Sequence, residues 1–303
     1  MFTSDSGIGE LAALGTALLW TLSTITSMAA SKHVGSIAVS FIRMLIACGL
    51  MMVYGRLAVG SFLPSGAGMD VWLLLGFSGI LGFFFCDAFL LKAMMTIGPR
   101  VVLLIYALAP PMAAVASLAI GDVLTGRDWA AMGLTLAGVA WVVLERPSGI
   151  HDPRSLGARR WGIALALLGT LASAVGIVIS RMVMDGYYDQ PVAATLIRAI
   201  ASLPGYILLI TLWRRWPNML SAMHNSRAMI PLMFAAVAGP FLGNVLVMFA
   251  LQHTQAGVVT TITATMPVLI LPFSIYYYRE KIGVRAVGGA LMAVAGVALL
   301  MMR

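Results

Sequence analysis

The chain has 303 residues, of which 61% are hydrophobic and only 10% charged, and its mean hydropathy is +0.97. No soluble core could bury that much apolar surface, so the composition excludes a soluble domain and places the chain among polytopic membrane proteins. The net charge of +8 does not point to nucleic acid, because the basic residues stand between apolar stretches without interleaved aromatics.

A helix crossing hydrocarbon about 30 Å thick needs about 20 apolar residues. Ten such segments follow one another, at 8–30, 36–54, 71–93, 99–120, 129–145, 161–183, 191–213, 228–251, 257–277 and 285–302. The first has no basic region before it and no small-residue cleavage site after it, so it reads as a helix of the mature protein and not a signal peptide. It carries Thr16, Trp20, Ser23 and Ser27 at steps of four, three and four, which share one face of a helix. That polar face is expected to look into the bundle, whereas Glu10, near the start of the segment, reads as solvated at the interface. The second segment holds Arg43 in the middle of an apolar run, where a charge costs roughly 2.5–3.5 kcal/mol on insertion scales. Asp87, in the third, is the carboxylate set deep in an apolar stretch. It can exchange a proton or pair with Arg43.

Farther along, Tyr106 precedes the Pro110-Pro111 pair by one turn, and Gly133 with Ala137 offers a small-xxx-small surface for close helix packing. The seventh segment repeats the intramembrane charge with Arg198 and adds Pro204; the eighth holds Pro240 and Asn244 and ends at His253, which reads as a solvated helix end. Thr260, Thr261, Thr263 and Thr265 give the ninth a polar character beside Pro267 and Pro272, and Gly289 with Ala293 recurs in the tenth. Trp213, Trp216 and Tyr276 to Tyr278 read as interfacial aromatic belts. Cys48 and Cys86 both lie in apolar segments, with no metal or disulfide spacing.

Alternate connections differ in charge. One side collects 13 basic residues (Lys32, Lys92, Arg100, Arg146, Arg154, Arg159, Arg160, Arg214, Arg215, Arg227, Arg279, Lys281 and Arg285), the other only four: Arg56, Arg127, Arg181 and Arg303. By the positive-inside rule the first side is cytoplasmic, and both termini then face outward.

The second half repeats the first. Ala38 to Ala47 recurs as Ala193 to Ser202, which superimposes Arg43 on Arg198. Gly82 to Pro110 recurs as Gly239 to Pro267, which pairs Asp87 with Asn244 and Tyr106 with Thr263. Residues 1–146 thus form one five-helix repeat and 161–303 a second, joined by a linker at 147–160. Because five is odd, the copies enter the membrane from opposite sides. The fold class is therefore an all-α polytopic membrane protein, ten transmembrane helices arranged as two inverted five-helix repeats. Secondary transporters use this arrangement, with the substrate near the midplane and interrupted helices beside it. Pro110, Pro111, Pro267 and Pro272, each removing a backbone donor, mark the fourth and ninth segments as the gating helices.

Several motifs resemble one family. Ala17-Leu18-Leu19-Trp20, the Phe41 to Ala47 run around Arg43, the Ala-x-x-Pro of Ala107 to Pro110 and Ala264 to Pro267, and the turns Gly121 to Thr125 and Arg279 to Lys281 are similar to the EamA-type branch of the drug/metabolite transporter superfamily. The resemblance implies a central cavity lined by helices one to four and six to nine, with five and ten peripheral. It departs at Ala174, which stands opposite Trp20, and at Asp122, where a glutamate is usual.

These features lead us to expect a secondary transporter that exports amino acids or related compounds from a bacterial inner membrane by alternating access. Arg43, Arg198, Trp20, Tyr106, Thr16, Ser23, Asn244 and Thr263 are the candidate substrate-binding residues, and Asp87 the candidate proton-coupling group. An organic-anion or phosphorylated-metabolite carrier of the same fold is the alternative, since two arginines suit phosphate as well as carboxylate. A membrane enzyme is disfavoured by the lack of a Gly-x-Ser-x-Gly elbow or His-x-x-x-His spacing, and a scaffold or sensor by the paired prolines and arginines, which it would not explain. With no P-loop, ATP does not drive transport directly. No cofactor is expected, and the partners are a small-molecule substrate and the bilayer, with the protein a monomer or homodimer.

Overall fold

The computed structural model describes residues 5–301 except 65, 98–101, 103–104, 145–155, 186–187, 224 and 270–283. Among the described residues every regular element is helical, as it must be where hydrocarbon offers the backbone no hydrogen-bond partner. The first half comprises α1 (Asp5–Val34), α2 (Ser36–Ala58), α3 (Met69–Gly79) continuing through a π turn (Ile80–Phe85) into α4 (Cys86–Ile97), α5 (Ala109–Leu118) and α6 (Gly126–Leu144). The second comprises α7 (Leu156–Met184), α8 (Pro191–Leu212), α9 (Trp216–Met223), α10 (Ser226–Ala236) continuing through a π turn (Val237–Gly243) into α11 (Asn244–His253), α12 (Ala256–Thr263), α13 (Met266–Leu269) and α14 (Val284–Met301). Six helical spans among the described residues are long and apolar enough to cross a membrane; 109–118 and 288–299 are shorter apolar helices.

The expected segments are helical over most of their described residues, with ends displaced by a few positions and with turns at 107–108 and 264–265 breaking the fourth and the ninth. One element was not foreseen. α9 lies in the connection between the seventh and eighth segments, too short to read as a span. It buries Met219 and Ala222 against α2, α8 and α10 while Trp216, Leu220 and Met223 stay exposed, the pattern of a helix lying in the interface.

Helix contacts come in symmetric pairs. α1 packs on α11 as α4 packs on α7, and α3 packs on α8 as α10 packs on α2, while α2–α8, α5–α12 and α6–α14 each join matching helices of the two halves. α6 and α14 therefore form the peripheral pair that the resemblance implied. Small residues allow the approach: a Cβ on Gly138 would come within 2.9 Å of Ala293 Cα, and one on Gly296 within 2.6 Å of the Thr135 nitrogen. Gly133 faces open space, so the tight seam runs through Gly138 on α6 and Gly296 on α14.

The two π turns stand at matching places, each inside a span that lines the centre of the bundle. Gly79, just before the first, lies against the Arg198 backbone, where a Cβ would be 2.6 Å from Arg198 Cα. Glu10 is corrected here: it is 1% exposed, because Gly9 lets α1 approach the end of α11, with room for no Cβ beside His253 at 2.9 Å.

Candidate functional site

A cavity of about 280 Å³ lies at the centre of the bundle, lined from both halves. Its walls carry seven of the residues expected from sequence: Trp20, Ser23, Arg43, Asp87, Tyr106, Arg198 and Asn244. Repeat symmetry brings them together, since α2 and α8 pack on each other, each π turn contacts one or both of them, and all four line the cavity.

The two arginines have different surroundings. Arg43 reaches Asp87 Oδ2 at 3.5 Å through Nη2 and Ser27 Oγ at 3.3 Å through Nη1. The side chains of this pair are 21% and 28% exposed. Arg198 is 2% exposed and has no carboxylate partner among the described residues. Its guanidinium carbon lies 4.4 Å from the centre of the Phe83 ring, its Nη1 points at Met248 Sδ at 3.7 Å, and its Nε makes no hydrogen bond. A cation over an aromatic face is partly compensated, but a buried guanidinium still has unmet donors, which a bound anion would meet. The cause of the difference is one substitution between repeats. Asn244 replaces the aspartate, and its side chain accepts from Trp20 Nε1 at 3.2 Å.

Glycines make room for these side chains. A Cβ on Gly82 would be 2.9 Å from Arg198 Nη2, one on Gly239 would crowd Ser23, and one on Gly243 would be 2.6 Å from Trp20 Cδ1. Each π turn therefore presents a glycine to the polar residues of the opposite half. Ser23 donates to Ala235 O at 2.8 Å, and Tyr106 and Ser173 hydroxyls meet at 3.1 Å across the halves.

Two expected residues are not in the cavity wall. Thr16 is fully buried and its hydroxyl lies 3.0 Å from Ala12 O and 3.3 Å from Gly243 O, a contact between helices. Thr263 is buried with its hydroxyl turned to Val259 O at 3.0 Å and Thr260 O at 3.1 Å. Thr260, Thr261 and Thr265 likewise bond carbonyls of their own helical stretch. Threonine satisfies itself this way inside a helix, so a cluster of threonines does not by itself signal a cavity. Pro110 is buried at the start of α5, beside Pro111. Pro267 falls in α13, while Pro272 and Tyr276 to Tyr278 lie outside the described residues.

The wall also takes in residues not expected there from sequence, among them Phe83, Cys86, Ser173 and Met266. Tyr206 was missed as well; it donates within reach of Asp87 Oδ2 at 2.9 Å and Phe83 O at 3.0 Å. A signal for it existed: Arg198, Ser202 and Tyr206 recur every four residues along one face of α8.

Away from the cavity, Arg181 ties together one end of the bundle. It lies 3.2 Å from Asp185 and 3.7 Å from Asp122 in the loop after α5, and donates to Leu251 O at 2.5 Å. Gln252 and Gln255 extend that seal to Asp189 and Val123.

The sequence model of the EamA-like transporter family matches residues 7–144 and again 160–302. The chain belongs to the EamA-like transporter family. It is thus a multi-pass membrane protein of the drug/metabolite transporter type, and its family is one of small-molecule transporters. Comparison with curated proteins finds no match. Among solved structures, one described only as a crystal structure of a protein aligns with a TM-score of 0.75 over 96% of each chain at 17% identity. That likeness speaks to the fold alone.

Proposed function

We propose that this EamA-family protein is a secondary active exporter of amino acids or closely related compounds, working by alternating access in a bacterial inner membrane with Asp87 as its proton-coupling group. The observation that carries the reading is Arg198, a buried cation on the cavity wall with no carboxylate partner among the described residues. Arg43 is already matched by Asp87. Among the described residues the cavity wall therefore has one positive charge to spare, which suits a single carboxylate. A phosphate dianion would need both arginines, and this argues against the organic-phosphate alternative.

A bound amino acid would set its carboxylate on Arg198 and its ammonium toward Asp87. Asp87 lies one helical turn beyond Phe83, which the Arg198 guanidinium covers. Trp20, Phe83 and Tyr106 supply apolar and cation-π surface for the rest of the molecule. The halves 1–146 and 161–303 would rock about the spans interrupted at Pro110, Pro111 and Pro267, with 147–160 as their linker. Such a carrier needs no partner beyond its cargo and the bilayer, whether it works as monomer or homodimer.

Thermal unfolding of the purified protein against amino acids, phosphorylated sugars, nucleobases and organic cations tests this. A ligand at 100 times its dissociation constant stabilises by about 2.7 kcal/mol. A shift with amino acids that vanishes in Arg198→Gln is the expected result. A shift confined to phosphorylated compounds would establish the alternative instead.

A further inference from the structure

Tyr206 is 2% exposed and comes from α8 of the second half, yet its hydroxyl lands on the first half at two acceptors. These are Asp87 Oδ2 at 2.9 Å and the backbone oxygen of Phe83, inside the π turn, at 3.0 Å. Phe84, 5.5 Å away edge to face, and Phe41, at 6.4 Å, hold the ring in place. A phenol has one proton to donate, so the two acceptors compete for it.

The geometry points to Tyr206 as a positioning residue that reports the protonation state of Asp87 to the π turn of the third span. This rests on the reading of Asp87 as the proton-coupling group. A hydrogen bond to a carboxylate is roughly twice as strong as one to a neutral acceptor. While Asp87 is ionised, the phenol proton belongs to Oδ2. When Asp87 takes a proton from water in the cavity, that advantage is lost and the phenol turns to Phe83 O. Tyr206 keeps its own proton throughout and changes only its acceptor, and the proton on Asp87 later leaves to water on the other side.

The groups facing Asp87 are Arg43 from α2, Tyr206 from α8, Tyr106 from the fourth span and Cys86 on its own helix. Of these, Tyr206 is the one whose side chain is recorded bonding the backbone of the π turn as well. Such turns interrupt the regular backbone ladder and recur at functional sites, so an added hydrogen bond there alters how freely the span bends. The second π turn offers an internal control. Met51 stands 155 residues before Tyr206, in the place of its repeat mate, and cannot donate.

Hydrogen–deuterium exchange of the full-length protein in nanodiscs, at one fixed pH, tests the idea. Asp87→Asn, which imitates the neutral carboxyl, should slow exchange across 80–85 by about threefold and leave 237–243 unchanged. Added to Tyr206→Phe, the same substitution should change nothing. Equal slowing in both backgrounds overturns the inference. If Tyr206→Phe does not fold, wild type against Asp87→Asn decides: slowing confined to 80–85 supports it, and unchanged exchange or slowing of both turns sinks it. Infrared difference spectra between an alkaline and an acidic state, with Asp87→Asn as the blank, separate the two readings. With an Asp87 carboxyl band present, failure of the exchange test removes only the role of Tyr206; without that band, the proton-coupling reading falls too.

Discussion

Arg43 and Arg198 occupy equivalent positions in the two halves, and a single difference, Asp87 against Asn244, gives them different work. Arg43→Gln leaves Asp87 as a charge whose remaining recorded partner among the described residues is Tyr206. For a fully buried pair the loss would be about 3–5 kcal/mol; here, with both side chains partly exposed, about 1–2 kcal/mol is expected. Adding Asp87→Asn should recover most of it, and the apparent Tm of the four proteins measures the coupling directly. The arginines and Asp87 were legible in the sequence because a charge in an apolar run has few innocent explanations. Thr16 and Thr263 misled because a hydroxyl on a helix can satisfy itself on the preceding turn. Tyr206 was hidden by its type, since a tyrosine in a membrane span reads first as packing.

At the level of elements, the ten spans followed from apolar length, and their pairing from the repeat. The π turns did not, because Ile80 to Phe85 and Val237 to Gly243 carry no compositional mark of an extra residue in the backbone; only their glycines and Pro240 hinted at a departure. Nor did the sequence separate Gly133 from Gly138 within α6. Gly133 faces open space, so Gly133→Ala should stabilise the helix by up to about 1 kcal/mol. Gly138 is closed in by α14, so Gly138→Ala should cost about 1–3 kcal/mol through overpacking. Opposite shifts in Tm from the same substitution five residues apart would confirm the seam between α6 and α14; equal shifts would refute it.

For the molecule as a whole, orientation rests on the 13 to four division of basic residues. A reporter fused after Arg303 that is active only when exported should be active here, and one that works only in the cytoplasm should be silent. The central cavity then has an electrical consequence. Among the described residues, Arg43 and Arg198 against an ionised Asp87 leave its wall with a net charge of +1. Wherever the barrier closes, the cavity sits at the potential of the side to which it opens. With the cytoplasm negative, opening the empty cavity outward costs about 2.3 kcal/mol per 100 mV for one charge. On the proposed alternating-access cycle, the resting protein should therefore wait open to the cytoplasm, and collapsing the membrane potential should expose the cavity to outside reagents. A thiol probe at Cys86, which lines the cavity, would register that change as faster labelling from outside once the voltage is removed.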